Sequence, residues 1–560
     1  MTGFDAPVGI VGAGPVGLVA ALRLASFGVR SVLLEVNPQL LKQGSKACLI
    51  QGDALEVLDK VGCAQPIARE GVRWHVGHTY VRGEEIRRSE FPIPLGFGPF
   101  VNISQYRIEQ VLLERASAEP LITLRWSHRV TGLLQDADGV AVTADTPEGA
   151  RLLRFRYLVA CDGVHSALRG LAGVEWTGYS HKDRFLITDV KARLPFTKER
   201  HFHYDPPFNP GRQLVIHPQP GDIWRIDWQL APDADIEAER LDGRLDQRIR
   251  AVIGAVPYEI DWLSTYRFHQ RVVDRMAVGR VLFAGDAAHA LPPYGSRGMN
   301  SGIQDADNLA WKLALVLDGR SPADLLDTYH TERHAAAREN LRVTEATIRF
   351  MVPPGPVQRV RRNLLLALSL PVKGMRRHVN SGRMAEPHVY QDSPIVQPPG
   401  RNRVLGSFAP DGTVLLGSQS LRLRTLLGAG FVGLFFAPDR GAAGKLLAEA
   451  AAVPTAVPVT VLGVAPDGEH GEPPVLADAD GSVRAAFGAR DGDWFLIRPD
   501  GHVAYTGNGD AARFADAAAR AVRAVPDRTR PDQKNRDPKH PDQQRPRPKN
   551  PNPVHPGVSR

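Results

Sequence analysis

The motif Gly12-Ala13-Gly14-Pro15-Val16-Gly17 constrains this chain more than any other feature. A short apolar run, Val8–Val11, reads as a buried strand before it. A small-residue helix follows over Leu18–Ala25 and closes at Gly28, and Val32–Leu34 reads as a second buried strand. Strand, turn, helix and strand make a βαβ unit. Gly12 permits the tight turn, Gly14 lets the backbone approach a pyrophosphate, and Gly17 lets the helix pack on the strand. Ala13, Pro15 and Val16 complete a loop that opens a helix, where free N–H groups and the helix dipole favour an anion. Glu35 ends the second strand. A carboxylate there accepts bonds from ribose hydroxyls and repels a 2′-phosphate. The motif alone fits NAD and FAD equally.

A chain of 560 residues exceeds one ordinary domain. Residues 1–75 and 103–180 read as two stretches of one cofactor domain, interrupted by 76–102. Residues 181–275 are rich in β-formers and aromatics and read as an antiparallel substrate sheet, to which 76–102 contributes. Residues 276–350 return to α/β, from strand Val281–Ala284 into long helices, and supply a third cofactor-domain stretch. Residues 351–400 form a helical, Pro-rich connection. Within it Leu364–Val372 is apolar between arginines and reads as a packed connecting helix rather than a membrane-surface segment. Residues 401–525 form a separate region with strand-like Phe431–Phe436 and Asp493–Ile497. The tail 526–560 holds nine prolines and almost no large apolar groups, a composition expected to stay disordered.

Charge and cysteine content exclude several roles. Net charge is +8, but the tail alone carries nine Lys/Arg against four Asp. The body is close to balanced and has no basic stripe with interleaved aromatics, so no nucleic-acid partner is expected. Cys48, Cys63 and Cys161 form neither a CxxC nor a zinc pattern, so no metal is expected. No run of 18 apolar residues and no signal peptide is seen, which predicts a cytoplasmic protein without a membrane span.

Two further motifs carry a family resemblance. Ala160-Cys161-Asp162-Gly163, followed by Ser166 and Arg169, resembles the DG motif of the para-hydroxybenzoate hydroxylase family. Gly279 to His289, with Gly285-Asp286 at its heart, resembles that family's GD motif, and Pro292-Pro293, Gly298-Met299-Asn300 and Asp305 to Lys312 continue the match. The resemblance covers residues 5–400 and is nearest the 3-(3-hydroxyphenyl)propionate and phenol hydroxylase branch, including polyketide-tailoring relatives. Leu496 to Val503 resembles the late strand-turn signature of the thioredoxin-like domain that long members carry. Without cysteines, 401–525 cannot exchange dithiols and reads as a packing or dimer-forming module.

The resemblance implies an α/β fold: an FAD-binding Rossmann-like domain, an inserted antiparallel substrate sheet and a C-terminal thioredoxin-like α/β domain. It implies FAD as cofactor, NADPH or NADH and O₂ as co-substrates, and hydroxylation of a small aromatic or polyketide-like phenol through a C4a-hydroperoxyflavin. Asp286 is expected to hold ribitol hydroxyls. Pro293, Gly298, Met299 and Asn300 form the flavin-positioning loop, with a helix N-terminus favouring negative charge on the reduced ring. Asp162 and Gly163 are expected at the flavin. Lys46 stands where members usually carry Arg, and Gln105 and Arg107 begin the helix used for the same cofactor. Ser296-Arg297 replaces the branch's more frequent Gly-Gln. His201, His203, Tyr204, His217 and His269 are unranked candidates for the substrate base, and Trp74, Phe202, Tyr204, Trp224 and Trp228 for an aromatic pocket. His289 is expected to fix its loop. Competing readings are Baeyer–Villiger or epoxidising oxygenation of a polyketide, and a non-catalytic flavoprotein used for docking.

Overall fold

Apolar strands from three distant stretches of chain share one parallel sheet, and this places the site. The computed structural model describes residues 3–524 except 43–46, 232, 354, 381, 383, 385, 399, 401 and 469–472, with the side chains of 182 and 183 also outside the description. The expected Lys46 contact and the tail 526–560 therefore lie outside the described residues.

The first sheet runs Ala277–Val278, Val281–Phe283, Gly149–Ala160, Ala6–Val11, Ser31–Leu34, Ile122–Arg125, with the hairpin Arg129–Gln135 and Val140–Thr146 extending from Gly149–Ala160. Its central pairings are parallel, and the register aligns Leu34, Val11, Ala160 and Phe283 in one row. Glu35, Gly12, Cys161 and Ala284 thus leave the sheet side by side at the C-terminal strand ends, where open α/β sheets bind ligands. Parallel strands covered on both faces must be apolar throughout. Ser31–Leu34 is accordingly buried at all four positions. Helix Pro15–Ser26 starts on Pro15, whose fixed φ suits a first turn, and buries Gly17 through Leu24. It packs on the long helix Arg297–Leu317.

The second sheet runs His289–Ala290, Glu259–Val273, Trp176–Lys191, Ile223–Gln229, Gln213–Pro218, Arg200–Tyr204, Val76–Val81, Glu84–Glu90. Only the Arg200–Tyr204 and Val76–Val81 pair is parallel. One face is closed by Trp224, Ile226, Trp228, Leu214 and Ile216 against Leu245, Ile249 and Ile253 of helix Arg244–Ile253. The opposite face turns toward the first sheet. A three-stranded sheet, Leu49–Gln51, Phe100–Asn102 and Val72–Trp74, joins the two.

The C-terminal sheet has seven strands. Phe431–Phe436 and Val459–Ala465 pair in parallel around helix Arg440–Ala452, then Asp493–Ile497 and Val503–Asn508 close antiparallel before helix Ala511–Ala521. Strand Val475–Ala477 and helix Ser482–Phe487 come between the two pairs, and the whole makes a distinct α/β domain. In the connection, helix Pro356–Ser369 buries Leu366 but leaves Val357, Val360 and Leu364 exposed, so it packs along one edge only. No helix among the described residues is long and apolar enough to cross a membrane.

Candidate active site

The glycine turn is built as its sequence requires. Gly12 has φ +104°, and a Cβ there would lie 2.3 Å from the Cys161 carbonyl oxygen. A Cβ on Gly17 would lie 1.9 Å from the Gly12 carbonyl oxygen. At Gly14 a Cβ would meet no atom within 4 Å, and this residue lines a cavity of about 660 Å³. Glu35 braces the turn. Its carboxylate accepts from the Ala13 N–H at 2.8 Å and from the Asn37 N–H at 2.9 Å.

A second loop faces the same cavity through Asp286, Pro293, Ser296, Gly298 and Met299. It is tied from below. Asp305 accepts from the Gly285 N–H at 3.0 Å and meets His289 Nε2 at 2.7 Å, while Arg333 Nε donates to its other oxygen at 2.6 Å. All three side chains are buried. Burial alone would raise the Asp305 carboxyl, but the charges of His289 and Arg333 overcome it and hold it at about 2. Ser296 caps helix Arg297–Leu317 with φ +53°, a left-handed conformation that favours glycine.

The far wall is the open face of the second sheet. His217, Asp227, Thr265, Tyr266, Arg267, Phe268 and His269 line it, with Cys48 beside them. Turn, loop and wall therefore enclose one space.

The family model described as FAD binding domain matches residues 5–344, and that described as aromatic-ring hydroxylase, C-terminal, matches residues 402–528. The 3-(3-hydroxy-phenyl)propionate/3-hydroxycinnamic acid hydroxylase of Mycobacterium sp. (strain JLS) is 30% identical over 524 residues, 89% of each chain. The chain belongs to the FAD-dependent aromatic-ring hydroxylases. The hydroxylase falls in the para-hydroxybenzoate hydroxylase-like superfamily, near its 3-(3-hydroxyphenyl)propionate and phenol hydroxylase branch. Among solved structures, the anhydrotetracycline hydroxylase of Streptomyces rimosus is 28% identical with a TM-score of 0.68, covering 92% of this chain and 99% of that one. A flavin-dependent monooxygenase solved with FAD and substrate shares the fold at 23% identity and a TM-score of 0.78, covering 93% and 100%.

The hydroxylase brings most expected cofactor residues to the cavity and diverts others. Ala13, Gly14, Pro15, Val16, Glu35, Gln105, Gly163, Asp286, Pro293, Gly298 and Met299 line it. Gly12, Gly17 and Gly285 lie beneath, as packing positions. Asp162 instead caps the next helix, accepting from the Leu168 N–H at 3.1 Å. The Asn300 side chain is turned away from the cavity, holding Ser296 and Leu49 carbonyls and the Gln51 N–H. Arg107 is a correction. It pairs with Glu70 at 2.7 and 2.9 Å and does not line the cavity. On a helix, two positions past Gln105 turn a side chain by about 200°, so Gln105 and Glu109 face inward while Arg107 faces out. The Arg297 guanidinium is also drawn away, donating to the Met384 carbonyl at 3.1 Å and to Asn340.

Among the base candidates, the hydroxylase places His217 and His269 on the cavity. His201 and His203 instead stack with His78 and Tyr80 near the sheet edge. Tyr204 is core, donating to the Asn380 carbonyl. The aromatic candidates for the lining fall to ordinary core. Phe202, Trp224 and Trp228 are interior packing, and Trp74 stacks on Phe100 in the small sheet. Trp126, Tyr266 and Phe268 are the aromatic residues that line the cavity. Sequence reasoning missed them, and missed Asp227. Among the described residues no group of three or more His, Cys, Asp or Glu is placed to hold a metal ion.

Proposed function

We propose that this hydroxylase holds FAD along the cavity, takes NADH or NADPH and O₂ as co-substrates, and hydroxylates a phenol between a single ring and a polyketide in size. One observation carries the reading: the glycine turn, the Pro293–Met299 loop and the substrate-sheet wall line a single cavity of about 660 Å³. The residues fit the cofactor, because the cavity is open above Gly14 and a side chain there would intrude on it. Gly14 and the first N–H groups of helix Pro15–Ser26 would hold the pyrophosphate, and Glu35 the ribose. Asp286 would hold the ribitol, and the loop from Pro293 to Met299 the ring. The flavin, when bound, supplies reducing equivalents and the activated oxygen.

The chain's own residues bind, orient and dry the site. The N-terminus of helix Arg297–Leu317 directs partial positive charge at the ring position. Tyr266, Phe268 and Pro293 exclude water from the reacting space. The likeness to proteins named for 3-(3-hydroxy-phenyl)propionate and for anhydrotetracycline supports a phenolic substrate over a saturated one. The test is to purify the yellow holoenzyme and screen phenols and aromatic acids for faster NAD(P)H oxidation under ¹⁸O₂. One ¹⁸O atom on the product ring is expected. Oxidised product without ¹⁸O, or a colourless protein that no flavin stabilises, would sink the reading.

A further inference from the structure

The cavity wall holds a carboxylate with one oxygen that no hydrogen bond among the described residues uses. Strand Ile223–Gln229 alternates Trp224, Ile226 and Trp228 into the core with Arg225, Asp227 and Gln229 toward the other face. Arg225 is fully buried and chelates Asp189 with two bonds of 2.7 Å. That pair uses Nε and Nη2 of the guanidinium and leaves Nη1 without a partner among the described residues. Asp227, two residues on, is partly buried and lines the cavity, yet its Oδ1 is inaccessible and has no hydrogen-bond partner among the described residues. A buried carboxylate oxygen without a donor is costly in the charged form, which raises the affinity of the carboxyl for a proton.

We propose that Asp227 is the catalytic residue that accepts the hydroxyl proton of the phenolic substrate during oxygen transfer. This rests on the phenol-hydroxylating function proposed above. The substrate O–H donates to the Asp227 carboxylate in the bound state. As a ring carbon forms its bond to the electrophilic oxygen, ring π electrons make the new C–O bond. The O–H bond breaks, its electron pair becomes the second bond of a ring carbonyl, and the proton passes to Asp227. The resulting dienone loses the proton at the oxygenated carbon, and as the ring regains its aromaticity the former carbonyl oxygen takes its proton back from Asp227. The inserted oxygen comes from O₂, whose second atom leaves as water with the two electrons of the nicotinamide.

The surroundings suit this task. Burial pushes the Asp227 carboxyl up to about 7, with Arg225 opposing, Asp189 adding and Arg200 opposing. A carboxylate in that range is a far better proton acceptor than an exposed one. The groups facing it are Arg225 on its own strand, Asp189 on Trp176–Lys191, His217 on Gln213–Pro218, Arg200 on Arg200–Tyr204, Tyr266 on Glu259–Val273, and Cys48. His217, Tyr266 and Cys48 of this set are held in their neutral forms. Burial, then the charges of Arg200 and Arg225, keeps His217 well below the ordinary histidine range. Burial holds the Tyr266 hydroxyl well above the ordinary phenol range and the Cys48 thiol up to about 12. Asp227 is left as the group of this cluster that changes charge near neutrality.

The test titrates 4-nitrophenol bound to the holoenzyme, reading its phenolate absorption across pH 5–9 in wild type, Asp227→Asn and Asp227→Glu. An adjacent carboxylate disfavours the phenolate, so Asp227→Asn should lower the pH of ionisation of the bound phenol by one unit or more. Asp227→Glu should restore most of the wild-type value. For a phenol turned over in the screen, Asp227→Asn should cut ring hydroxylation on the order of 10²-fold or more and abolish the acid limb near pH 7, while flavin content stays unchanged. The same ionisation in wild type and Asp227→Asn, or an unchanged acid limb, overturns the assignment. Failure of wild type to perturb the nitrophenol at all, with no ¹⁸O product from any phenol, overturns the phenol-site reading itself.

Discussion

Single residues at this site are tuned by backbone as much as by side chain. Ser296 sits at φ +53°, a left-handed position that favours glycine, and it caps the helix whose first turn lines the cavity. An L-residue in the left-handed region costs about 1–2 kcal/mol, partly offset in glycine by its greater chain entropy. Ser296→Gly should therefore stabilise the protein by about 1 kcal/mol, read as a higher urea midpoint at unchanged m-value. A lower midpoint would mean that the serine contributes contacts outweighing its backbone strain. Legibility in sequence also divides at this scale. Gly12 and Gly17 were readable because the demands of the turn are local and a Cβ at either would strike backbone, whereas Gly14 answers only to the open cavity above it. Arg107 was misplaced because a one-dimensional motif ignores helical phase, which only the partner Glu70 reveals. Asp227 was invisible because alternating polar residues on a strand read as a solvent face, whereas here that face is the cavity.

At the scale of elements, helix Arg297–Leu317 is the part that must not move. Its Asp305 ties it to the Gly285–His289 loop and to Arg333 of helix Asp327–Met351. The folded carboxyl lies at about 2, below its ordinary 3.8. A depressed carboxyl contributes stability above the unfolded value and loses it as pH falls through the folded one. The gap is worth about 2 kcal/mol, complete above pH 4 and gone below pH 2. Asp305→Asn also strands Arg333, so the loss at pH 7 should reach about 3–5 kcal/mol. Urea midpoints of wild type and variant should converge as pH drops from 4 to 2. Parallel curves would show that the pairing is energetically idle. The strands of the parallel sheet were legible in outline, since Val8–Val11, Val32–Leu34 and Val281–Ala284 are short apolar runs. That the second sheet continues through His289–Ala290 from the cofactor loop was not, because two residues carry no periodicity.

Across the whole molecule, the cysteine-free C-terminal region acts as a buttress. Arg498 grips Glu332 with bonds of 2.6 and 2.8 Å, Asp500 accepts from Asn308 at 3.1 Å, and Trp311 packs on Phe431. Every one of these reaches helix Arg297–Leu317 or helix Asp327–Met351, behind the Pro293–Met299 loop of the cavity. Removing one partner of a buried ion pair leaves an uncompensated charge. Arg498→Met should cost about 3–5 kcal/mol and speed flavin release, although residue 498 lies outside the cavity. Unchanged flavin retention in a destabilised variant would confine the buttress to folding. Cys161, whose carbonyl oxygen lies against Gly12, has a thiol that burial raises above its ordinary range. The residue is nevertheless only half-buried and lines the cavity, so FAD seated there would cover it. It is a built-in reporter of what fills the nucleotide turn. Iodoacetamide labelling at this one position, followed by peptide mass spectrometry, should slow as FAD is added, and the concentration that halves the rate would report the affinity of the turn for its cofactor.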